Sequence, residues 1–244
     1  MTSRLRRSLI GAAVALGLAA GALAWLASTE GALRWAMAQV VARSGGAVGA
    51  EDVSGSLLGP LRMGRFTYAS PAGSLEARDI VLDWSLLSLA RNRLVLKQLE
   101  VRSLEGVLRK SDQSPVPPAQ LQLPLAIDAQ RVAIASIRLA QGAATLLLTD
   151  ARFAYAGDAA AHRLDIEGLV TPWGKVRGKA RLAASPPFAL SGRFAADIAI
   201  RAAPPAQFTL ALDGDLGRLT AKLEATSGSA RLGGDALLAP FEGA

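Results

Sequence analysis

Three hydrophobic patterns follow one another along the chain. The first is Ser8 to Ala27, SLIGAAVALGLAAGALAWLA, a stretch without a single charge. Its twenty residues, at about 1.5 Å each, reach roughly 30 Å, the thickness of a bilayer's hydrocarbon core. Arg4, Arg6 and Arg7 precede it and Glu30 follows it, which keeps the N-terminus in the cytoplasm and sends the remainder across the membrane. A cleavable signal would share the basic start and the small triplet Ala22-Leu23-Ala24, but its apolar core runs only about 7–15 residues. Here the apolar stretch continues through Trp25 and Leu26, with Trp25 where an interfacial aromatic is favoured. Residues 1–28 therefore read as a retained transmembrane anchor, and either reading places the bulk of the chain outside the cytoplasm.

The second pattern has a period of 3.6. Thr29 is placed to cap a helix over GALRWAMAQVVARS, in which Leu33, Ala36, Met37, Val40 and Val41 share a face, while Arg34, Gln39 and Arg43 lie off it. Gly45-Gly46 supplies the stop. Residues 29–46 thus form a short amphipathic helix. It either packs on the first strands and plugs one end of the next domain or lies on the outer leaflet. The scarcity of basic residues beside the apolar face favours packing.

After Gly46 the period becomes 2. Ile80, Leu82, Trp84 and Leu86 share one face against Asp79 and Asp83. Lys175, Arg177, Lys179 and Arg181 oppose Val176, Gly178, Ala180 and Leu182. Phe194, Ala196, Ile198 and Ile200 form another such run, as do Leu219, Ala221, Leu223 and Ala225. Such alternation predicts half-buried antiparallel strands with one apolar face. Turns are expected at Ser70–Gly73, Arg91–Arg93, Gln141-Gly142, Gly157-Asp158, Pro186-Pro187, Pro204-Pro205, Asp213-Gly214 and Gly233-Gly234. Val132 and Ile134 lie on one parity and Ile137 and Leu139 on the other; a bulge would bring all four to one face. Ser111–Gln120, SDQSPVPPAQ, is the one sizeable loop.

About ten such strands with no helical layer must bury their apolar face against themselves, as a barrel, a sandwich or a long curled sheet. Many inward positions are Ala, Gly or Val, which permits curvature and leaves room for something apolar. The expected fold is mostly β: a transmembrane helix and a short amphipathic helix, then an elongated, curled antiparallel sheet over residues 47–244 forming an apolar groove. Because SARLGGDALLAPFEGA reads as one more strand and turn leaving an open edge, the chain reads as the first part of a longer architecture.

Composition adds exclusions. The net charge of +7 is spread among strands, and aromatics are 5% of the chain, so a nucleic-acid footprint with stacking rings is not expected. His162 is the only histidine and there is no cysteine. No zinc-ligand spacing, nucleophile elbow or phosphate-cradling glycine motif is present, so neither an enzyme, a metal nor a cofactor is expected. The absence of thiols is compatible with an oxidising compartment.

The order of the motifs carries a resemblance. GSLLGPL at Gly55–Leu61 leads to GRFTY at Gly64–Tyr68. Then come LDW at Leu82–Trp84, a Leu-rich turn at Leu86–Leu89 and LVLKQLEV at Leu94–Val101. A Pro-rich loop and LPLAI at Leu123–Ile127 follow. With the preceding anchor and short helix, residues 1 to about 140 resemble the N-terminal region of the TamB family. These are the inner-membrane subunits of the translocation and assembly module, grouped with AsmA-like bridge proteins. The resemblance implies a bacterial inner-membrane protein, single-pass, with its bulk in the periplasm. It implies a long, twisted β-groove that carries phospholipid acyl chains toward the outer membrane and supports outer-membrane protein assembly. The family's partner is TamA, a BamA-like outer-membrane barrel, met through a C-terminal region absent here. The inward residues expected to line the groove are Ile80, Leu82, Trp84, Leu125, Ile127, Phe194, Ile198, Ile200, Leu210 and Leu212, each of which would equally serve as plain core. The alternative function is a chaperone-like scaffold that offers a sheet edge to outer-membrane β-strands.

Overall fold

The computed structural model describes residues 29–109, 119–198 and 205–239. The anchor segment, Ile200, Pro204 and most of the Pro-rich loop lie outside them. Among the described residues no helix is long and apolar enough to cross a membrane.

Helix α1 spans Glu30–Arg43, and the Thr29 side chain accepts from the Ala32 amide at 3.3 Å. It ends at Ser44, after which Gly45 and Gly46 adopt φ of 62° and 87°. Leu33 is fully buried and Ala36, Met37 and Val41 are half-buried, but Val40 is exposed. Trp35, Ala38 and Ala42 are exposed as well, so the apolar residues are not confined to one stripe. The expected amphipathic pattern is weak because charges occur only at Glu30, Arg34 and Arg43. The helix rests on the first two strands, at one end of the sheet.

The strands are β1 (Val48–Glu51), β2 (Ser54–Gly55), β3 (Leu61–Ser70), β4 (Gly73–Ser85), β5 (Arg93–Leu108), β6 (Ala126–Gln141) and β7 (Ala144–Gly157). They continue as β8 (Ala161–Thr171), β9 (Gly174–Ala183), β10 (Ala189–Ile198), β11 (Ala206–Asp215), β12 (Leu219–Ser227) and β13 (Ala230–Leu238). All thirteen belong to one sheet in sequence order, with β2 beside β3. The first and last strands do not pair, so the sheet is open and curled, neither a barrel nor a sandwich.

The expectation of a wholly antiparallel sheet fails at one place. β5 and β6 are parallel, Arg93 opposite Ala126 and Leu108 opposite Gln141. Parallel neighbours need a crossover, which falls between Leu108 and Ala126. The described end of that crossover runs along the rim. The Leu121 amide donates to the Ala184 carbonyl at 2.9 Å, Leu123 to Asp158 at 3.4 Å, and Asn92 Nδ2 to the Pro124 carbonyl at 3.1 Å. Two expected turns are strand instead. Asp213-Gly214 lies inside β11, the real turn being closed by Asp215, whose Oδ1 accepts from the Gly217 and Arg218 amides at 2.8 Å each. Gly233-Gly234 lies inside β13.

The core is on one face of the sheet. Ala77, Ile80, Val101, Ala129, Val132, Ile134 and Ala151 are 4–7% exposed and form one cluster with Met63, Phe66, Leu104 and Ile137 packed against it. These residues do not keep one parity. On each of five adjacent strands two consecutive residues turn outward at the same level, around Gly64, Asp79, Arg102, Ala135 and Asp150, while the register on either side is unchanged. Asp79 and Asp150 sit there at φ of 51° and 50°. On β4 and β7 the left-handed conformation advances the chain one residue and restores the apolar residues to the inner face; on β6, at the same level, Ile134 and Ile137 both reach the core. This shared crease bends the sheet.

A β-branched residue cannot take the left-handed conformation without a cost of about 1–2 kcal/mol. Asp79→Val and Asp150→Val should each destabilise the fold by that amount in urea denaturation, whereas Asp79→Gly should leave the midpoint near wild type.

Candidate functional site

The pairing registers line up inward residues into rows that run across the strands. One row passes through Leu61, Leu82, Leu99, Val132 and Phe153 on β3 to β7, omitting none of those strands. It continues through Ile166, Gly178, Phe194, Leu210, Leu223 and Gly234 to the β13 edge. At about 4.8 Å per strand, the row is roughly 50 Å long. Gly178 does not interrupt it. A side chain there would meet the ring of Phe194 on the next strand, so that ring covers the glycine.

Parallel rows flank this one. Met63, Ile80, Val101, Ile134 and Ala151 form the first half of a second row, which resumes at Leu169, Val176, Ala196, Phe208, Ala225 and Leu232. A third holds Trp84, Leu96, Ala129, Tyr155 and Leu164, then Ala180, Gly192, Leu212, Ala221 and Ala236. Over β9 to β13 the third row is made of small residues apart from Leu212, and the inward face is lower there than along the first row. None of the three rows contains a charged side chain. The buried set of the described residues is likewise free of polar and charged groups.

The sequence-derived candidates fall as follows. Leu82, Phe194 and Leu210 stand in the first row, Ile80 in the second, and Trp84 and Leu212 in the third. Ile127 lies opposite Leu94 and Gly157 in a fourth row nearer the rim. Ile198 faces inward opposite Gly174 and Ala206. Leu125 is not in a strand: it precedes β6 in the rim segment, because the chain is still completing its crossover. Ile200 lies outside the described residues. Ile80 is 5% exposed and the other described candidates are half-buried. The Trp84 indole Nε1 is buried without a hydrogen-bond partner.

Sequence reasoning did not anticipate His162. It sits in the fourth row, opposite Gly157 and Leu182. Its Nε2 lies 2.8 Å from the Leu121 carbonyl and its Nδ1 2.7 Å from the Tyr155 hydroxyl. A carbonyl only accepts, so Nε2 donates to it, and in the neutral ring Nδ1 then accepts from Tyr155. The two rings are stacked at 6.2 Å, and burial pushes the Tyr155 phenol up. His162 thus fastens the crossover to the sheet's rim. No local signal in the sequence pairs it with Leu121, which is 41 residues away.

The outward face is charged. Arg65 pairs with Glu51 and Glu76, Arg78 with Glu76, Lys97 with Asp83, Arg102 with Asp79, Arg177 with Asp197 and Lys179 with Asp165. Among the described residues no group of acids, histidines or cysteines is arranged to hold a metal ion.

Comparison of the chain with family models, with curated proteins and with solved structures finds no match to any of them.

Replacing His162 by Leu leaves the Leu121 carbonyl and the Tyr155 hydroxyl without partners. The expected loss is about 1–3 kcal/mol of stability. Hydrogen exchange at the Leu121 and Leu123 amides should accelerate more than at the strand cores, and uniform acceleration would refute the fastening role.

Proposed function

We propose that this protein is an inner-membrane-anchored periplasmic groove protein that conducts phospholipid acyl chains toward the outer membrane and thereby supports outer-membrane protein assembly. The observation that carries this reading is the row from Leu61 to Gly234, apolar on every strand from β3 to β13, on a face that no second layer of the described residues covers. Each methylene that leaves water gains about 0.8 kcal/mol. A path with no charged interruption lets an acyl chain advance from strand to strand without returning to water. Such contacts are non-directional, so selectivity among acyl chains is low. The small third row beside the Phe194, Leu210 and Leu223 ridge offers a furrow floor of the right character for a chain lying along the sheet. The resemblance of residues 1 to about 140 to the TamB family, and the apolar stretch at Ser8–Ala27, support the membrane placement. TamA is the partner this reading implies.

A second reading, a scaffold that pairs with outer-membrane β-strands, is favoured by one observation. Among the described residues β13 has a partner only on its β12 side, and each of its residues from Ala230 to Leu238 is exposed. Nine residues of open backbone are a ready template for strand addition.

Photo-crosslinking separates the two. Crosslinkers at Phe194 and Leu210, which face inward, should capture phospholipid, and crosslinkers at the adjoining outward positions Ala195 and Thr209 should not. Leu212→Asp should reduce co-purifying lipid by at least about tenfold, since an unpaired charge cannot lie beside an acyl chain, while leaving strand capture by β13 intact. Inward crosslinkers that capture protein strands and never lipid would reverse the order of the two readings.

A further inference from the structure

The outward face contains a contrast between two pairs of facing cations. Arg65 and Arg78 stand directly opposite each other on β3 and β4. Like charges so placed repel, and Glu76 resolves the conflict. Its Oε2 accepts from Arg65 Nη2 at 2.8 Å and its Oε1 from Arg78 Nε at 2.6 Å. Those two bonds hold the Glu76 carboxyl below the usual carboxylate range.

On β8 to β10 the same conflict recurs without a bridging acid. Arg163 stands opposite Arg181, and Lys179 opposite Arg193. Asp165 bonds Lys179 at 2.6 Å. Among the described residues no carboxylate forms an ion pair with Arg163, Arg181 or Arg193. The outward row through the first pair reads Asp128, Ala156, Arg163, Arg181, Ser191, Asp213. Within that row each acid is two strands from the nearer arginine, about 10 Å away; Asp213 is a diagonal neighbour of Arg193 and Asp165 of Arg181, but neither forms an ion pair with it. Asp158, at the turn into β8, lies close enough to feel the charge of Arg163, but its Oδ1 accepts from the Ala160 and Ala161 amides at 2.7 and 2.9 Å. The four cations, Ser191, the small outward residues Ala154 and Ala211 and the acids Asp128, Asp165 and Asp213 border one depression of about 700 Å³, whose lining also takes in Tyr155, Leu164 and Leu212.

We propose that this depression is a binding site for a phosphate-type oxyanion, which bridges Arg163 and Arg181 as Glu76 bridges Arg65 and Arg78. A carboxylate has two oxygens and satisfies two guanidiniums, as Glu76 does. Here three guanidiniums lack an anion, and a phosphate offers three terminal oxygens to planar N–H forks. Ser191, opposite Arg181, adds a hydroxyl donor. The phosphate belongs either to a free ion or to a monoester lipid headgroup of the phosphatidic acid kind, because a diester headgroup keeps only two terminal oxygens. The four cations stand at outward positions of their strands, and the test below does not depend on acyl-chain conduction.

The test is thermal unfolding of the full chain in an uncharged detergent at low ionic strength, with sodium phosphate compared against sodium chloride at equal ionic strength. Phosphate should raise Tm by about 3 °C beyond chloride, and Arg163→Ser/Arg181→Ser should abolish the difference. In phosphate-free buffer that variant should melt no lower than wild type, because it has lost a repulsion rather than a bond. Monomeric dihexanoyl phosphatidic acid identifies the source. Half-saturation at a tenfold or greater advantage over inorganic phosphate assigns a headgroup, and parity assigns the free ion. Equal shifts with phosphate and chloride, or a phosphate shift retained by the double variant, would overturn the site.

Discussion

A sheet with no second layer depends on cross-strand register more than on any single contact. Each inward side chain is covered chiefly by its neighbours on the same face, one strand to either side. Burying a Leu, Ile or Phe this way contributes about 1.5–3 kcal/mol, but only if the partner strands present apolar residues at the same level. A slip of one residue would turn a strand's whole apolar set to solvent. The crease through Gly64, Asp79, Arg102, Ala135 and Asp150 shows how strictly this holds. Parity changes there, and it changes on all five strands together, so the rows on both sides remain continuous. A bulge on one strand alone would have broken them.

The faces of the strands were legible in the chain, because alternation is a local property. Phe194, Leu210 and Leu223 are apolar between polar neighbours, and that suffices to place them inward. The phase break between Ile134 and Ile137 was legible for the same reason. Strand direction was not. Nothing in Arg93–Leu108 or Ala126–Gln141 distinguishes a parallel from an antiparallel partner, since both faces alternate alike in either case. Leu125 was misplaced for this reason: its pattern with Ile127 looks like strand, but the crossover still occupies it. Asp213-Gly214 has turn composition, yet Asp215 two residues on takes the turn by capping two amides. The role of His162 rests on a partner far away in sequence, beyond the reach of any local pattern.

The two faces of each strand answer to different physics. Inward positions must be apolar but need no particular shape, which is why Ala, Gly, Val, Leu and Phe alternate there freely. Outward positions meet their opposites at about 5 Å, so charge identity matters at each. Most outward cations have an acid opposite or diagonal to them, and Glu76 serves two at once. Charge order along an outward row is thus as informative as apolar order along an inward one. At β8 to β10, where Arg163 meets Arg181 and Lys179 meets Arg193, no carboxylate of the described residues bridges the facing cations as Glu76 does.

Strand number, rather than strand length, sets how far such a sheet reaches. Every added strand contributes one residue to each row and extends the row by about 4.8 Å, while the strands need only be long enough to hold three or four rows. Continuity then becomes the demanding property. An acyl chain many methylenes long spans several strands at once, so one small residue in a row, such as Gly178 beneath the Phe194 ring, costs little. One charge would interrupt the path for every chain crossing it. If the apolar face is a lipid path, selection acts less on any individual inward residue than on the exclusion of charge from the whole row. That accounts for a site in which no single side chain stands out.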